Sequence, residues 1–272
     1  MNPETRRSGG MHYTSIENIH MVIDPLLLYD LRNKFAKIQE EKAKNKRKQQ
    51  LEALQKKLAS LTFLDPACGS GNFLTETYIS LRRLENEVIR FLTGGEMVLG
   101  EFYNPIQVSF NQFYSIEIND FAVSVAKTAL WIAESQMMKE TEDIVHMTID
   151  FLPLKTNAYI VEGNALRINW ESVVPKEKLN YIMGNPPFVG HQWRNESQCK
   201  DMDLVFGDFG NYGKLDYVYA WYKKSLDYIH NTNIIVALVS TNSTVQGESV
   251  STLWEPLFSK YNINILWGRG SF

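Results

Sequence analysis

From Phe63 to Trp267, short apolar runs alternate with longer stretches whose apolar residues recur every three or four positions. Phe63-Leu64, Gln112 to Ile118, Tyr159-Ile-Val161, Tyr181-Ile-Met183, Ile234 to Val239 and Ile263 to Trp267 read as strands. Between them Leu74, Tyr78, Leu81 and Leu84 mark one helix, and Ala122, Ala126, Ala129, Ala133 and Met137 a second. Leu215, Val218, Tyr222, Leu226 and Ile229 mark a third, and a last helix lies around Ser249 to Phe258. Strands that alternate with helices predict an α/β fold, a parallel sheet with helices on both faces. Ligands of such sheets bind at the carboxyl ends of the strands, near the switch in strand order.

Ahead of the sheet, Leu28, Leu31, Phe35 and Ile38 form one helical stripe and Leu51, Leu54, Leu58 and Leu61 another. They predict two helices or one long one, an N-terminal appendage over 1–61 with an apolar root, before a core over 62–272. Lys34 to Lys57 carries nine Lys or Arg against three Glu, although the whole chain has a net charge of −3. Such a run is either a solvated helix face or a sequence-blind contact for nucleic-acid phosphates.

Two loops carry chemistry. The first, Leu64-Asp-Pro-Ala-Cys-Gly-Ser-Gly-Asn-Phe73, follows the first strand, and Gly69 and Gly71 let its backbone turn tightly against a ligand. A dinucleotide fingerprint would need glycine at Leu74, and no phosphate-loop motif is present, so the loop suits a nucleoside cofactor without pyrophosphate. Glu117, at the end of the second strand, is placed to accept both hydroxyls of a ribose. Taken alone, it is a surface carboxylate.

The second loop, Asn185-Pro186-Pro187-Phe188, ends the strand Tyr181-Ile-Met183. An aromatic amino nitrogen is a poor nucleophile, because its lone pair is delocalised into the ring. Asn185 offers a side-chain carbonyl and Pro186 a backbone carbonyl aimed by two fixed φ angles, so both N–H bonds of such a group can be held. These acceptors favour the nitrogen as it pyramidalises, and Phe188 can stack on the base. The plain alternative is a strand-ending Pro-Pro turn.

The two motifs in this order resemble those of gamma-class N6-adenine DNA methyltransferases, and within them the MmeI-like restriction–modification family. Ile116-Glu117-Ile118, Ala129-Leu-Trp-Ile-Ala133, Leu215-Asp-Tyr-Val218 and Val239-Ser-Thr-Asn242 with Gln246-Gly247 add to the likeness, as does His12-Tyr13-Thr14-Ser15. The resemblance implies a Rossmann-like class I methyltransferase sheet that moves a methyl group from S-adenosylmethionine to adenine N6 in DNA. It makes Asn185, Pro186, Pro187 and Phe188 catalytic, and Thr14, Asp65, Ala67, Gly69, Gly71, Glu117, Asn164 and Ala165 cofactor-binding. Asn164 stands where the family commonly has Asp facing the cofactor's adenine amino group, and it can supply an acceptor without the charge. The partner implied is double-stranded DNA with one adenine flipped out of the stack. The family's last antiparallel strand and its target-recognition domain find no counterpart, so a further domain or subunit is expected to read the sequence.

Cys68 and Cys199 form no ligand pattern and the five histidines are scattered, so no metal is assigned and a cytoplasmic setting is expected. No run is long enough to span a membrane. Gly190 to Lys214 is expected to be a long loop. The competing functions are a glutamine side-chain or RNA-base N-methyltransferase, and an inactive cofactor-binding subunit.

Overall fold

A computed structural model describes residues 14–94, 105–149, 158–207, 209–210, 212–240, 244 and 250–261. Five parallel strands form one sheet: β1 (Phe63–Asp65), β2 (Phe113–Glu117), β3 (Tyr159–Glu162), β4 (Tyr181–Gly184) and β5 (Ile235–Leu238). Their order across the sheet is β3-β2-β1-β4-β5. The chain runs outward from β1 to β3, then crosses back to β4 on the other side of β1. Phe63 pairs with Tyr181 and Leu64 with Ile182, so the ends of β1 and β4 lie side by side at the switch. The strand expected at Ile263 to Trp267 lies outside the described residues.

Strand side chains alternate between faces. Phe63, Phe113 and Met183 join one core, while Leu64, Ile116 and Ile182 join the other. On the first face Phe63 stacks on Phe113 and Tyr181, with ring centroids 5.1 and 5.5 Å apart. Two long helices cover that face, α4 (Asn72–Thr93) and α5 (Asp120–Val145). Asn119 caps α5 by accepting from the Ala122 N–H.

The N-terminal helices belong to the same core. They are α1 (Ile16–Ile23), α2 (Tyr29–Gln39) and α3 (Lys44–Ser60), two stripes on separate helices. Pro25 has no N–H to give the preceding turn, and a π-helical turn, Asp24–Leu28, takes the helix past it. Leu28, Leu31, Phe35, Leu51, Leu54, Leu58 and Leu61 are all buried against the sheet side, and the lysines of α3 face solvent. His20 bonds Asp24 in the next turn (2.7 Å) and ties α1 to α4 through Glu76 (3.0 Å). Burial works against its charged form, but those two carboxylates prevail and raise its pKa.

Deeper in this layer Arg82 and Glu85, 1% and 0% exposed, form an ion pair. Glu85 also accepts from Gln55 Nε2 (3.0 Å) and the Gln107 N–H (2.7 Å), and Arg82 Nη2 donates to Thr141 Oγ1 (2.7 Å). The network therefore binds α3, α4, α5 and the approach to β2 together.

The second face carries α6 (Glu196–Phe206), α7 (Tyr219–Ile229) and α8 (Glu255–Lys260). Two expectations are corrected here. Gly190 to Lys214 is not a continuous loop, since α6 occupies its middle. An Asn195–Gln198 capping box starts that helix, and buried Met202 and Phe206 hold it down. The helix read from Leu215 begins only at Tyr219, because Leu215 to Val218 is a turn organised by Asp216.

Candidate active site

The loop after β1 is fastened at several points. Ala67 N–H donates to Asp65 Oδ1 (3.0 Å), Cys68 N–H to the Ile116 carbonyl (3.3 Å) and Gly69 N–H to Glu117 Oε2 (2.8 Å). Gly71 then starts α4 with φ +81°, and a Cβ there would come within 2.9 Å of Ala126 Cβ on α5. Only glycine allows both the left-handed turn and the close helix approach. Glu117 Oε1 accepts from the Asn119 N–H (2.9 Å), and the Glu117 carbonyl accepts from the Gly163 N–H (2.8 Å). Strand ends β1, β2 and β3 are thereby laced into one rim. Each Glu117 oxygen still has a lone pair to offer.

Asp65 is 1% exposed. Burial first, and the Glu117 charge next, push its carboxyl up to about 7. Its neighbour across the sheet is Gly184, where a Cβ would stand 2.4 Å from Asp65 Oδ1. The missing side chain at the end of β4 is what lets the two motifs touch.

Asn185 follows directly. Its Nδ2 donates to Thr14 Oγ1 at 3.0 Å, while its Oδ1 is buried with no hydrogen-bond partner among the described residues. Buried acceptors are nearly always paired, so this oxygen at the end of β4 is open to a further donor. Pro186 is buried, and Phe188, half-buried, packs against both cores. The chain beyond is clamped: Val189 N–H donates to Asp216 Oδ1 (3.1 Å) and Tyr217 N–H to the Val189 carbonyl (3.0 Å). Trp221 Nε1 reaches the Pro66 carbonyl (3.2 Å), joining α7 to the first loop.

The structure thus gathers Asp65, Ala67, Gly69, Gly71 and Glu117 on one rim, with Asn185 beside Asp65. Gly163 and Asn164 continue the rim at β3, and Ala165 is buried behind them. Thr14 meets Asn185. Two residues escape a reading of local pattern. Asp216 holds the chain after Phe188, and Asp201 holds Asn164. A third, Ile118, is 67% exposed directly after Glu117 and presents an apolar surface beside the rim.

Among the described residues no group of three His, Cys, Asp or Glu side chains could hold a metal, and no helix is long and apolar enough to cross a membrane.

The model of one protein family, the MmeI DNA-methyltransferase domain, matches residues 39–272. The chain is 43% identical over 272 residues to DNA methyltransferase A of Bacillus subtilis (strain 168), covering 99% of the chain and 30% of that protein. It also matches the structure of the Type IIL restriction–modification enzyme MmeI in complex with DNA, at 45% identity and a TM-score of 0.87. That match covers 95% of the chain and 34% of MmeI. The chain therefore spans about a third of the length of these relatives.

Proposed function

Because the chain belongs to the family of MmeI DNA-methyltransferase domains, we propose that it is the methyl-transferring part of a restriction–modification enzyme, acting on adenine N6 in DNA. The observation that carries this reading is Asn185 Oδ1, a buried acceptor left without a partner at the end of β4. It suits one N–H of an exocyclic amino group, and the Pro186 carbonyl suits the other. Neither is basic enough to take a proton at neutral pH, so they act by holding the nitrogen and favouring its pyramidal form. A base inside a duplex cannot reach them, and the substrate must be an unstacked adenine. Phe188 offers a ring to stack on it.

The first rim fits an adenosyl cofactor. Glu117 would accept the ribose hydroxyls, Ile118 would cover a face of the adenine, and Asn164 Oδ1 would accept from its amino group. The loop from Asp65 to Gly71 would hold the remainder. S-adenosylmethionine, when bound there, supplies an electrophilic methyl group.

The test begins with calorimetric titration of S-adenosylmethionine into the chain and into Asp65→Ala. Labelled donor is then offered with plasmid DNA, RNA and protein together. Saturable binding lost in the variant, and label in DNA adenine, are the results expected. Label in protein or RNA would point to the other amide-type methyltransferases. Binding without transfer would make the chain a cofactor-binding unit that needs the rest of its enzyme.

A further inference from the structure

Asn164 already has both ends of its amide engaged. Oδ1 accepts from the Leu166 N–H at 2.9 Å and Nδ2 donates to Asp201 Oδ2 at 2.9 Å. Turning the amide over would set its NH2 group against the Leu166 N–H and its oxygen against a carboxylate. Two attractions would become two repulsions. In the observed orientation Oδ1 keeps a second lone pair, the one the proposed adenine contact requires.

Asp201, on α6, is 1% exposed. Besides Asn164 it receives the Tyr217 hydroxyl (2.7 Å) and Arg167 Nε (2.6 Å). Burial first, then the bond to Asp201, raise the Tyr217 pKa, so that hydroxyl remains a donor. Close by, Lys224 Nζ donates to the carbonyls of Leu166 and Ile168, both at 2.7 Å, holding the turn that Asn164 begins. Each side chain bonded to Asp201 is a donor. An acceptor-only group satisfies them all, and an amide in its place would strand one.

We propose that Asp201 is a positioning residue that locks Asn164 with its oxygen toward the cofactor, so that the site selects a 6-amino over a 6-oxo purine. This rests on the reading of the rim as an adenosyl site. An Asp at 164 would need no lock, because both its oxygens accept. An Asn does need one, and here the negative charge stands behind the contact residue instead of in it. A 6-oxo purine would bring oxygen against Oδ1.

The experiment is calorimetric titration of S-adenosylhomocysteine and S-inosylhomocysteine into the chain, Asp201→Leu, Asn164→Asp and the double variant Asn164→Asp with Asp201→Asn, with thermal unfolding as the control for folding. The unaltered chain should prefer the adenosyl ligand by about tenfold or more. Asp201→Leu removes the acceptor for Asn164 Nδ2 and should lose most of that preference. Asn164→Asp alone should bind poorly, two carboxylates facing each other, and the double variant should recover adenosyl binding because the amide now donates from position 201. Tyr217→Phe leaves the Asn164 link in place and should keep the preference. A folded Asp201→Leu with the original preference, or a double variant no better than Asn164→Asp, overturns the proposal. Should neither fold, equal binding of the two ligands by the unaltered chain overturns it, and a clear adenosyl preference kept by Tyr217→Phe supports it. Binding of neither ligand by the unaltered chain would instead remove the adenosyl reading itself.

Discussion

Asn185 Nδ2 donates to Thr14 Oγ1, a hydroxyl brought from the start of the described chain to the end of β4. In this arrangement the acceptor end of the amide is the one left open. Thr14→Val keeps the shape and removes the anchor. Methyl transfer to DNA, followed in a single turnover, should fall about tenfold, and S-adenosylmethionine affinity should hold. Thr14→Ser should transfer normally. If the valine variant loses cofactor affinity and keeps its rate, Thr14 serves the cofactor, as the resemblance implied, and not the amide.

Asp65 gives the fold an unusual pH response. Its folded-state pKa, about 7, stands above its ordinary 3.8, so between those values the folded chain holds a proton that the unfolded chain releases. The stabilisation is complete below the lower value and is lost as pH rises through the upper one. Urea midpoints should therefore fall between about pH 4 and about pH 7, more steeply in the unaltered chain than in Asp65→Asn. Parallel profiles for the two proteins would show that Asp65 ionises in the fold as it does in water.

Gly71→Ala tests the junction of the first loop with α5. The left-handed backbone costs an alanine about 1–2 kcal/mol. The contact with Ala126 adds overpacking of about 1–3 kcal/mol. Cofactor affinity should drop together with the unfolding midpoint, and the pair Gly71→Ala with Ala126→Gly should recover only the part due to the contact. Full recovery in the pair would mean that the turn itself is unstrained.

Glu85→Ala should be the most damaging of these changes to stability, though it lies away from the rim. It strips a buried arginine of its counter-charge and takes the Glu85 acceptor from the Gln107 and Val108 N–H groups, at a cost of about 3–5 kcal/mol. Chemical denaturation measures it directly. A loss below about 1 kcal/mol would show that water enters the network and solvates Arg82.

Much of this was legible in the sequence because the signals were local. Short apolar runs and helical stripes placed the described strands, and the rule that ligands bind at carboxyl strand ends singled out the loops of Asp65 and Asn185. The capping box Asn195 to Gln198 was also readable, and α6 was overlooked only because polar residues surround its two buried ones, Met202 and Phe206. What no local pattern holds is the partnering of distant polar side chains. Thr14 with Asn185, and Asn164 with Asp201, are set by how the layers dock. The Asn164 amide, bonded at both ends, owes one of its partners to a helix 37 positions further on.

The bond between Thr14 and Asn185 spans 171 positions of sequence. During synthesis the threonine must wait for nearly the whole sheet before its partner exists, and closing so long a loop comes late in folding. A partly folded or clipped molecule that has formed only the rim of β1, β2 and β3 therefore lacks the anchored Asn185 amide. On the function proposed above the chain writes a lasting mark, and this arrangement ties permission to write it to the completeness of the molecule that writes.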